Sequence, residues 1–199
     1  MNQSAAPDAY PRGTKLGVDV GTVRVGVAVC DPDGILATPL KTLSRDVKKN
    51  TDVRVLAALA AELGVVQVFV GLPRTLKGEE HASARMATDY AELLAEELAR
   101  QGSTLSVRLI DERLSTVTAH RNLHEAGMSS RNHRKVVDQV AAAGILQHAI
   151  DMQKARGTDV GHRVFAVSQP GLSGDAAAEE AGQAVTGNNV QSSDDGRLQ

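Results

Sequence analysis

Several things that define other classes of protein are scarce in this sequence. One cysteine in 199 residues, Cys30, excludes an internal disulfide and a multi-cysteine zinc site. That residue could at most bridge two chains, and a small strand residue that packs is the simpler interpretation. Two Tyr, two Phe and no Trp leave too few rings for a protein that stacks unpaired bases on aromatic side chains.

Long apolar runs and nucleotide-binding loops are also missing. No stretch reaches the roughly 20 residues that span a bilayer, and residues 1–11 lack the apolar segment of a signal peptide. We therefore expect a cytoplasmic protein. The loop from Gly71 to Gly78 is followed by Glu79 and lacks the Gly-Lys-Ser/Thr ending of a P-loop, which excludes a P-loop nucleotidase.

The charge divides the chain into three parts. The formal net charge is −2, but residues 168–199 carry −4 and residues 14–167 carry +2. Residues 1–13 and 168–199 have too few large apolar side chains to offset the entropy of ordering. We predict one folded domain, 14–167, between a disordered N-terminal extension (1–13) and a disordered acidic C-terminal tail (168–199).

The hydrophobic pattern of the middle part predicts an α/β fold. Strands and helices are expected, in chain order, as a hairpin over 15–30, a turn at 31–34, a strand at 35–43, a helix at 51–63, a strand at 65–70, a helix at 79–101, a strand at 105–110, and helices at 115–127 and from 129 or 130 to 152. Residues 161–167 could add a short strand. This order indicates a mixed five-stranded sheet, a three-stranded antiparallel meander plus parallel strands, with helices on both faces.

Acidic residues occur at two unexpected strand positions. Asp19 lies inside an apolar strand, where Asp is disfavoured, although an Asp that bonds to the turn at Gly21 would give the same sequence. Asp111 and Glu112 follow a later strand at its carboxyl edge, where open α/β sheets usually bind ligands. A solvated strand end has the same pattern.

A third acid, Asp138, heads a helical stripe. The positions that share its face are Ala141, Ala142, Ile145 and Ala149. A carboxylate there is costly unless it is paired, protonated or bound to a metal, and Arg134 or Lys135 could pair with it. Acids from three elements that converge would instead suit Mg²⁺ or Mn²⁺, and such ions can support phosphodiester hydrolysis.

Basic residues surround two of these acids. Between 113 and 135 the chain carries Arg113, Arg121, Arg131, Arg134 and Lys135, with His120, His124 and His133, against one acid, Glu125. Arg24, Arg74 and Lys77 add cations in the loops after the first and fourth strands. Such cations could grip nucleic-acid phosphates or form an ordinary solvated surface. The His120/His124 pair lacks the other ligands of a zinc site.

Four motifs in this order resemble the YqgF/RuvX family of RNase H-like nucleases. They are Gly17-Val-Asp-Val-Gly-Thr-Val-Arg-Val-Gly26, Gly71-Leu-Pro73 with Gly78, Asp111-Glu-Arg-Leu-Ser-Thr116, and Asp138-Gln-Val-Ala-Ala-Ala-Gly-Ile-Leu146. The resemblance covers about residues 14–152. The first motif alone is weak, and the four together are specific.

The resemblance implies an RNase H-like fold, metal-dependent cleavage and a role in maturing the 5′ end of pre-16S rRNA. Asp19 and Asp138 match family acids directly. Of the adjacent pair we favour Glu112 as the third metal ligand, with Asp111 as an alternative or supporting residue, because alternate strand positions face opposite ways.

Three other functions fit part of the pattern. Resolution of Holliday junctions, also implied by the resemblance, would need a homodimer, whereas an rRNA nuclease could be a monomer. An actin-like ATPase or sugar kinase shares the Asp-x-Gly-Thr sequence at Asp19 but needs two such domains. A non-catalytic RNA-binding ribosome-assembly factor would keep the acids for structure.

Overall fold

A computed structural model describes residues 10–73, 82–111 and 131–166, without the side chains of 131–135. The described strands and helices are β1 (Lys15–Val20), β2 (Arg24–Cys30), β3 (Ala37–Ser44), α1 (Thr51–Glu62), β4 (Gln67–Leu72), α2 (Ala82–Arg100), β5 (Ser106–Asp111), α3 (Arg131–Arg156) and β6 (His162–Val164). The predicted helix at 115–127, the C-terminal tail and most of the N-terminal extension lie outside the described residues.

The strands form one mixed sheet in the order β3-β2-β1-β4-β5-β6. β1, β2 and β3 make the predicted antiparallel meander, and β1, β4 and β5 run parallel. The sheet has six strands rather than five, because β6 pairs antiparallel with β5 at the edge. The predicted fold class, a mixed sheet with helices on both faces, is confirmed.

One face of the sheet, the α1/α2 face, is lined by large aliphatic side chains. Alternate residues of β1 (Leu16, Val18 and Val20) pack there with residues of α1 and α2. Strand alternation explains why these three residues share one face, since successive side chains of a strand point to opposite sides. This face holds the larger of the two apolar cores.

The opposite face, the α3 face, is lined by smaller residues. Its apolar cluster includes Ala28 and Cys30 of β2, Phe69 of β4 and the stripe of α3. The predicted helical stripe is confirmed, because Ala141, Ala142, Ile145 and Ala149 are all buried. The helix continues past the expected end at Met152 to Arg156, since the first breaker is Gly157, in a left-handed conformation (φ 70°).

The strand β3 forms one edge of the sheet. It pairs with β2 through a register shift between Val27 and Ala28, where Ala28 lies opposite Pro39. Most of its residues are exposed. Gln139 and Gln147 of α3 bond to this side of the sheet, through the Thr42 hydroxyl (3.0 Å) and the Ala37 N–H (2.9 Å), and so help to seat the helix.

No helix among the described ranges is both long and apolar enough to cross a membrane.

Candidate active site

Asp19 lies inside β1 and is only 5% exposed. It is the fifth residue of the strand and pairs with Gly26 of β2. Since Gly17 faces the backbone of α3, Asp19, two residues on, faces the same side of the sheet. Asp19 is therefore a strand residue on the α3 side of the sheet.

Asp138 is seated directly over Gly26. A Cβ added to that glycine would lie 2.0 Å from the Asp138 carbonyl oxygen and 3.1 Å from the Asp138 Cβ. The glycine thus lets the helix backbone touch the strand, as a glycine inside a strand often does. A second glycine, Gly17, makes the same close approach to Ala142 and Leu146.

The two carboxylates therefore converge. Residues paired across antiparallel strands have Cβ atoms about 5 Å apart, which places Asp19 within about 5 Å of the point where a Gly26 Cβ would stand. The Asp138 Cβ lies 3.1 Å from that point. The Cβ atoms of two acids that are 119 positions apart in the chain thus lie within about 8 Å of each other on the α3 face, near the carboxyl end of β1.

Asp138 forms an ion pair with Arg24. The Arg24 Nε donates to Asp138 Oδ2 at 2.6 Å, and the two side chains are 25% and 23% exposed. Arg24 was predicted to contact nucleic acid, and Arg134 or Lys135 was the partner considered for Asp138. The side chains of those two residues lie outside the described part. The structure thus puts a fixed positive charge beside the acids.

Asp111 ends β5 opposite Leu72 of β4. Because Leu72 packs on the α1/α2 face, alternation assigns Asp111 to that side of the sheet rather than to the side of Asp19. Its charge nevertheless reaches α3. Burial lowers the pKa of His148, and the negative charges of Asp151 and, more weakly, Asp111 oppose that shift.

The two observations on Asp111 are compatible, because a charge acts over several ångströms and Asp111 is the last residue of its strand. The parallel strands β1, β4 and β5 end at the same edge of the sheet, and β1 and β5 are two strand spacings, about 10 Å, apart. Glu112, the preferred third ligand, lies outside the described residues. The choice between Asp111 and Glu112 therefore stays a prediction.

A group of three or more metal-binding side chains does not occur within the described ranges. The described acids, Asp19 and Asp138, supply two sets of hard carboxylate oxygens, which fit Mg²⁺ or Mn²⁺ as part of a larger ligand set. The predicted nucleic-acid contacts Arg74, Lys77, Arg113, Arg121, Arg131, Arg134 and Lys135 also fall outside the residues or side chains described.

Sequence reasoning missed the Arg24–Asp138 pair and the seating of α3 on glycine. A signal for the second was present, since Gly26 stands between two valines in a strand, where glycine is unfavourable without a close neighbour. No local signal exists for the ion pair, whose partners are 114 residues apart.

The chain is similar to named proteins of mycobacteria over most of its length. A protein of Mycolicibacterium smegmatis named "Putative pre-16S rRNA nuclease" is 54% identical over 146 residues, which cover 72% of this chain and 84% of the relative. A protein of Mycobacteroides abscessus with the same name is 49% identical over 153 residues, which cover 77% of this chain and 90% of the relative.

Among solved structures, T. thermophilus RuvC in complex with Holliday junction substrate aligns with a TM-score of 0.48 and 13% identity, over 77% of this chain and 100% of that chain. The family described as "RuvX: Holliday junction resolvase" matches residues 13–152. This match confirms the resemblance predicted from the four motifs, and the names of the relatives agree with the prediction of a nuclease. The chain belongs to the RuvX family.

Proposed function

We propose that the protein is a metal-dependent endonuclease that hydrolyses phosphodiester bonds in precursor 16S rRNA, at its 5′ end. The family and the names of relatives about half identical to it support this substrate. The observation that carries the chemistry is the meeting of Asp19 and Asp138 over Gly26. Such a substrate would place the enzyme in the cytoplasm.

The proposed metal ligands are Asp19, Asp138 and one of Asp111 and Glu112, with Glu112 preferred. Two carboxylates brought together on a mostly buried surface repel each other, and a divalent cation between them removes that cost. When bound, Mg²⁺ or Mn²⁺ would activate water and stabilise the leaving oxygen of the phosphodiester. Because one carboxylate is carried by a strand and the other by a helix, the scissile phosphate would lie between β1 and the start of α3.

Arg24 has a supporting role in this proposal. Its guanidinium neutralises one of the two acids at 2.6 Å, so that the fold tolerates both carboxylates before a metal binds. It also orients Asp138, because one carboxylate oxygen is held by the Nε donor. Placed beside the acids, its positive charge would attract the phosphate of the substrate.

The basic residues from Arg113 to Lys135, together with Arg74 and Lys77, would bind phosphates on both sides of the scissile bond. Each phosphate contact releases counterions, so binding should weaken steeply as salt increases. The phosphate contacts should affect substrate binding more than the chemical step. Loss of one such contact should therefore lower the affinity for RNA more than the rate of cleavage.

The decisive variant is Asp19→Asn. We expect it to abolish Mg²⁺- or Mn²⁺-dependent cleavage of precursor 16S rRNA, because it removes a ligand charge, while RNA binding and the melting temperature stay close to wild type. Asp89→Asn, an exposed acid on α2, is the matched control and should cleave normally. Undiminished cleavage by Asp19→Asn would contradict the site. A wild type that binds the RNA but does not cleave it would favour a non-catalytic RNA-binding factor.

Cleavage of Holliday junctions is a second candidate, favoured by the description of the family. It requires two active sites that cut opposed strands together, and hence a homodimer. Incubation of the same preparation with precursor rRNA and with a four-way junction, in each metal, compares the two substrates. Faster cleavage of the junction by a dimeric protein would replace the rRNA proposal.

A further inference from the structure

A small pocket lies at the other end of α3, away from the acids. Its volume is about 60 Å³. A single water molecule needs about 10–15 Å³ of such space, so the pocket has room for a compact group of four or five heavy atoms. Its lining comes from the start of the described chain, from β1, from α3 and from the turn that follows β2. The charged and polar lining residues are Arg12, Lys15, Asp33, Gln153 and Lys154.

Three cations meet at this pocket. Lys15 is only 3% exposed, and its Nζ donates to the Gly13 carbonyl oxygen at 3.2 Å and lies 5.7 Å from the centre of the Tyr10 ring. Burial lowers the pKa of Lys15. Cys30 and the negative charge of Asp159 oppose that shift, and the positive charges of Lys154 and Arg12 add to it. A buried ammonium crowded by two other cations is a place where an anion would be stabilised.

Acidic residues only partly balance these cations. Asp33 is the one acid among the lining residues, against Arg12, Lys15 and Lys154. Asp159 is held by Arg108 at 2.8 Å, and the carboxylate of Asp31, next to the turn, accepts hydrogen bonds from the backbone N–H groups of the turn. The pocket therefore keeps an excess of positive charge.

Gln153 adds an unmet acceptor. Its side chain is fully buried, and its Nε2 donates to Gln67 Oε1 and to Asp159 Oδ1, both at 2.8 Å. Within the described part of the chain, its Oε1 is a buried acceptor that receives no hydrogen bond. A buried acceptor of this kind is costly without a donor, and since Gln153 lines the pocket, a small shift of its side chain would let a ligand with an O–H supply that donor.

We propose that this pocket is a binding site for a phosphate group, with Arg12, Lys15 and Lys154 holding the anionic oxygens and Gln153 Oε1 accepting an O–H. The O–H would be the P–OH of inorganic phosphate or, on an RNA strand, the ribose 2′-hydroxyl beside the phosphate. Fifteen residues of α3 separate Asp138 from Gln153, about 22 Å along the helix. The site is distinct from the proposed nuclease site and does not rest on its function.

In the first test, the full-length protein is titrated with inorganic phosphate, and calorimetry measures the binding. Hydrogen bonds to charged groups contribute about 1.5–3 kcal/mol each, so the variant Arg12→Ala/Lys154→Ala should bind phosphate at least about tenfold more weakly. Both side chains are exposed, so the variant should fold. The matched control, Lys48→Ala/Lys49→Ala, removes two exposed lysines elsewhere and should bind as the wild type does. No saturable binding, or equal weakening in both variants, would overturn the proposal.

Sulfate tests the part played by Gln153, because at neutral pH it has the same shape and charge class but no O–H. Phosphate should therefore bind more tightly than sulfate. Equal affinities would contradict the assignment of Gln153 as an acceptor.

A second arm separates the two sources of the phosphate. RNA binding is measured with Asp19→Asn, to prevent cleavage, with and without the pocket substitutions. If the substitutions weaken RNA binding more than the Lys48/Lys49 control does, and phosphate competes with RNA, the ligand is the RNA backbone. If RNA binding is unchanged while phosphate binding is lost, the ligand is the free anion.

Discussion

The same strands present different kinds of side chain on the two faces of the sheet. On the α1/α2 face, β1 presents Leu16, Val18 and Val20 to two helices, and the contact is made by bulky side chains. On the α3 face, β1 presents Lys15, Gly17 and Asp19, and the contact of the strand with α3 is made partly by backbone. The same strand thus supports the core on one side and carries polar groups on the other.

The ion pairs on the two faces also differ in how deeply they are buried. On the α1/α2 face, Asp52 is 3% exposed and bonds to Arg45 at 3.1 Å through both carboxylate oxygens, while the Arg45 guanidinium lies 5.0 Å from the Tyr90 ring centre. On the α3 face, the Arg24–Asp138 pair stays about a quarter exposed. The buried pair is shielded from ligands, whereas the partly exposed Arg24–Asp138 pair is open to solvent, as the proposed binding of a metal and a phosphate requires.

The largest effect on stability is expected from Asp52→Asn. Removal of one partner leaves Arg45 buried without a counter-charge, which costs about 3–5 kcal/mol. Cleavage per folded molecule should not change, because the Arg45–Asp52 pair lies on the opposite face of the sheet from Asp19 and Asp138. Urea unfolding measures the loss, and Asp89→Asn is again the exposed control. A large loss of specific activity would mean that the two faces are not independent.

A smaller loss of stability but a much larger loss of cleavage is expected from Gly26→Ala. The new methyl group would meet the Asp138 carbonyl at 2.0 Å, and overpacking of this kind costs about 1–3 kcal/mol. The backbone of α3 must move away, which carries Asp138 away from Asp19. Unfolding and cleavage assays on one preparation would show both effects.

Gly64→Ala is the control for that variant. A Cβ there meets nothing within 4 Å, so it adds only the strain of a left-handed residue, about 1–2 kcal/mol, and should leave cleavage intact. Equal loss of cleavage in both glycine variants would show that general destabilisation, rather than the displacement of α3, is responsible.

The smallest effect on stability is expected from Arg24→Gln. Partly exposed ion pairs contribute about 0.2–1 kcal/mol, so unfolding should barely change. Cleavage should fall, because Asp138 loses the donor that orients it and the site loses a positive charge. We expect part of the loss to appear in KM, which Arg24→Lys should partly restore. Wild-type kinetics for Arg24→Gln would remove Arg24 from the site.

The sequence was sufficient for most of the described strands and helices and for the stripe of α3, because these depend on local periodicity. The third acid could not be settled in the same way. Whether Asp111 or Glu112 faces α3 depends on the register of β5, and register is fixed by strand pairing rather than by the local pattern. Asp111 opposite Leu72 is consistent with the preference for Glu112 but does not test it.

Contacts between residues far apart in the chain could not be predicted from the local sequence pattern. The Arg24–Asp138 and Arg45–Asp52 pairs form only after strands and helices are packed together, and each of these charged residues has other candidate partners in the sequence. The short strand β6 was weakly signalled for a similar reason, since its three residues gain their place from pairing with β5 rather than from their own pattern.

The edges of the sheet have a consequence for behaviour at high concentration. An open edge exposes N–H and C=O groups that invite strands of other molecules to add on, which leads to aggregation. At one end, β3 carries Pro39, which has no N–H to donate, beside an irregular pairing with β2, followed by the charged Lys41. At the other end, β6 is only three residues long. Both ends are poor templates for growth, so this sheet should resist joining its neighbours even when the protein is crowded.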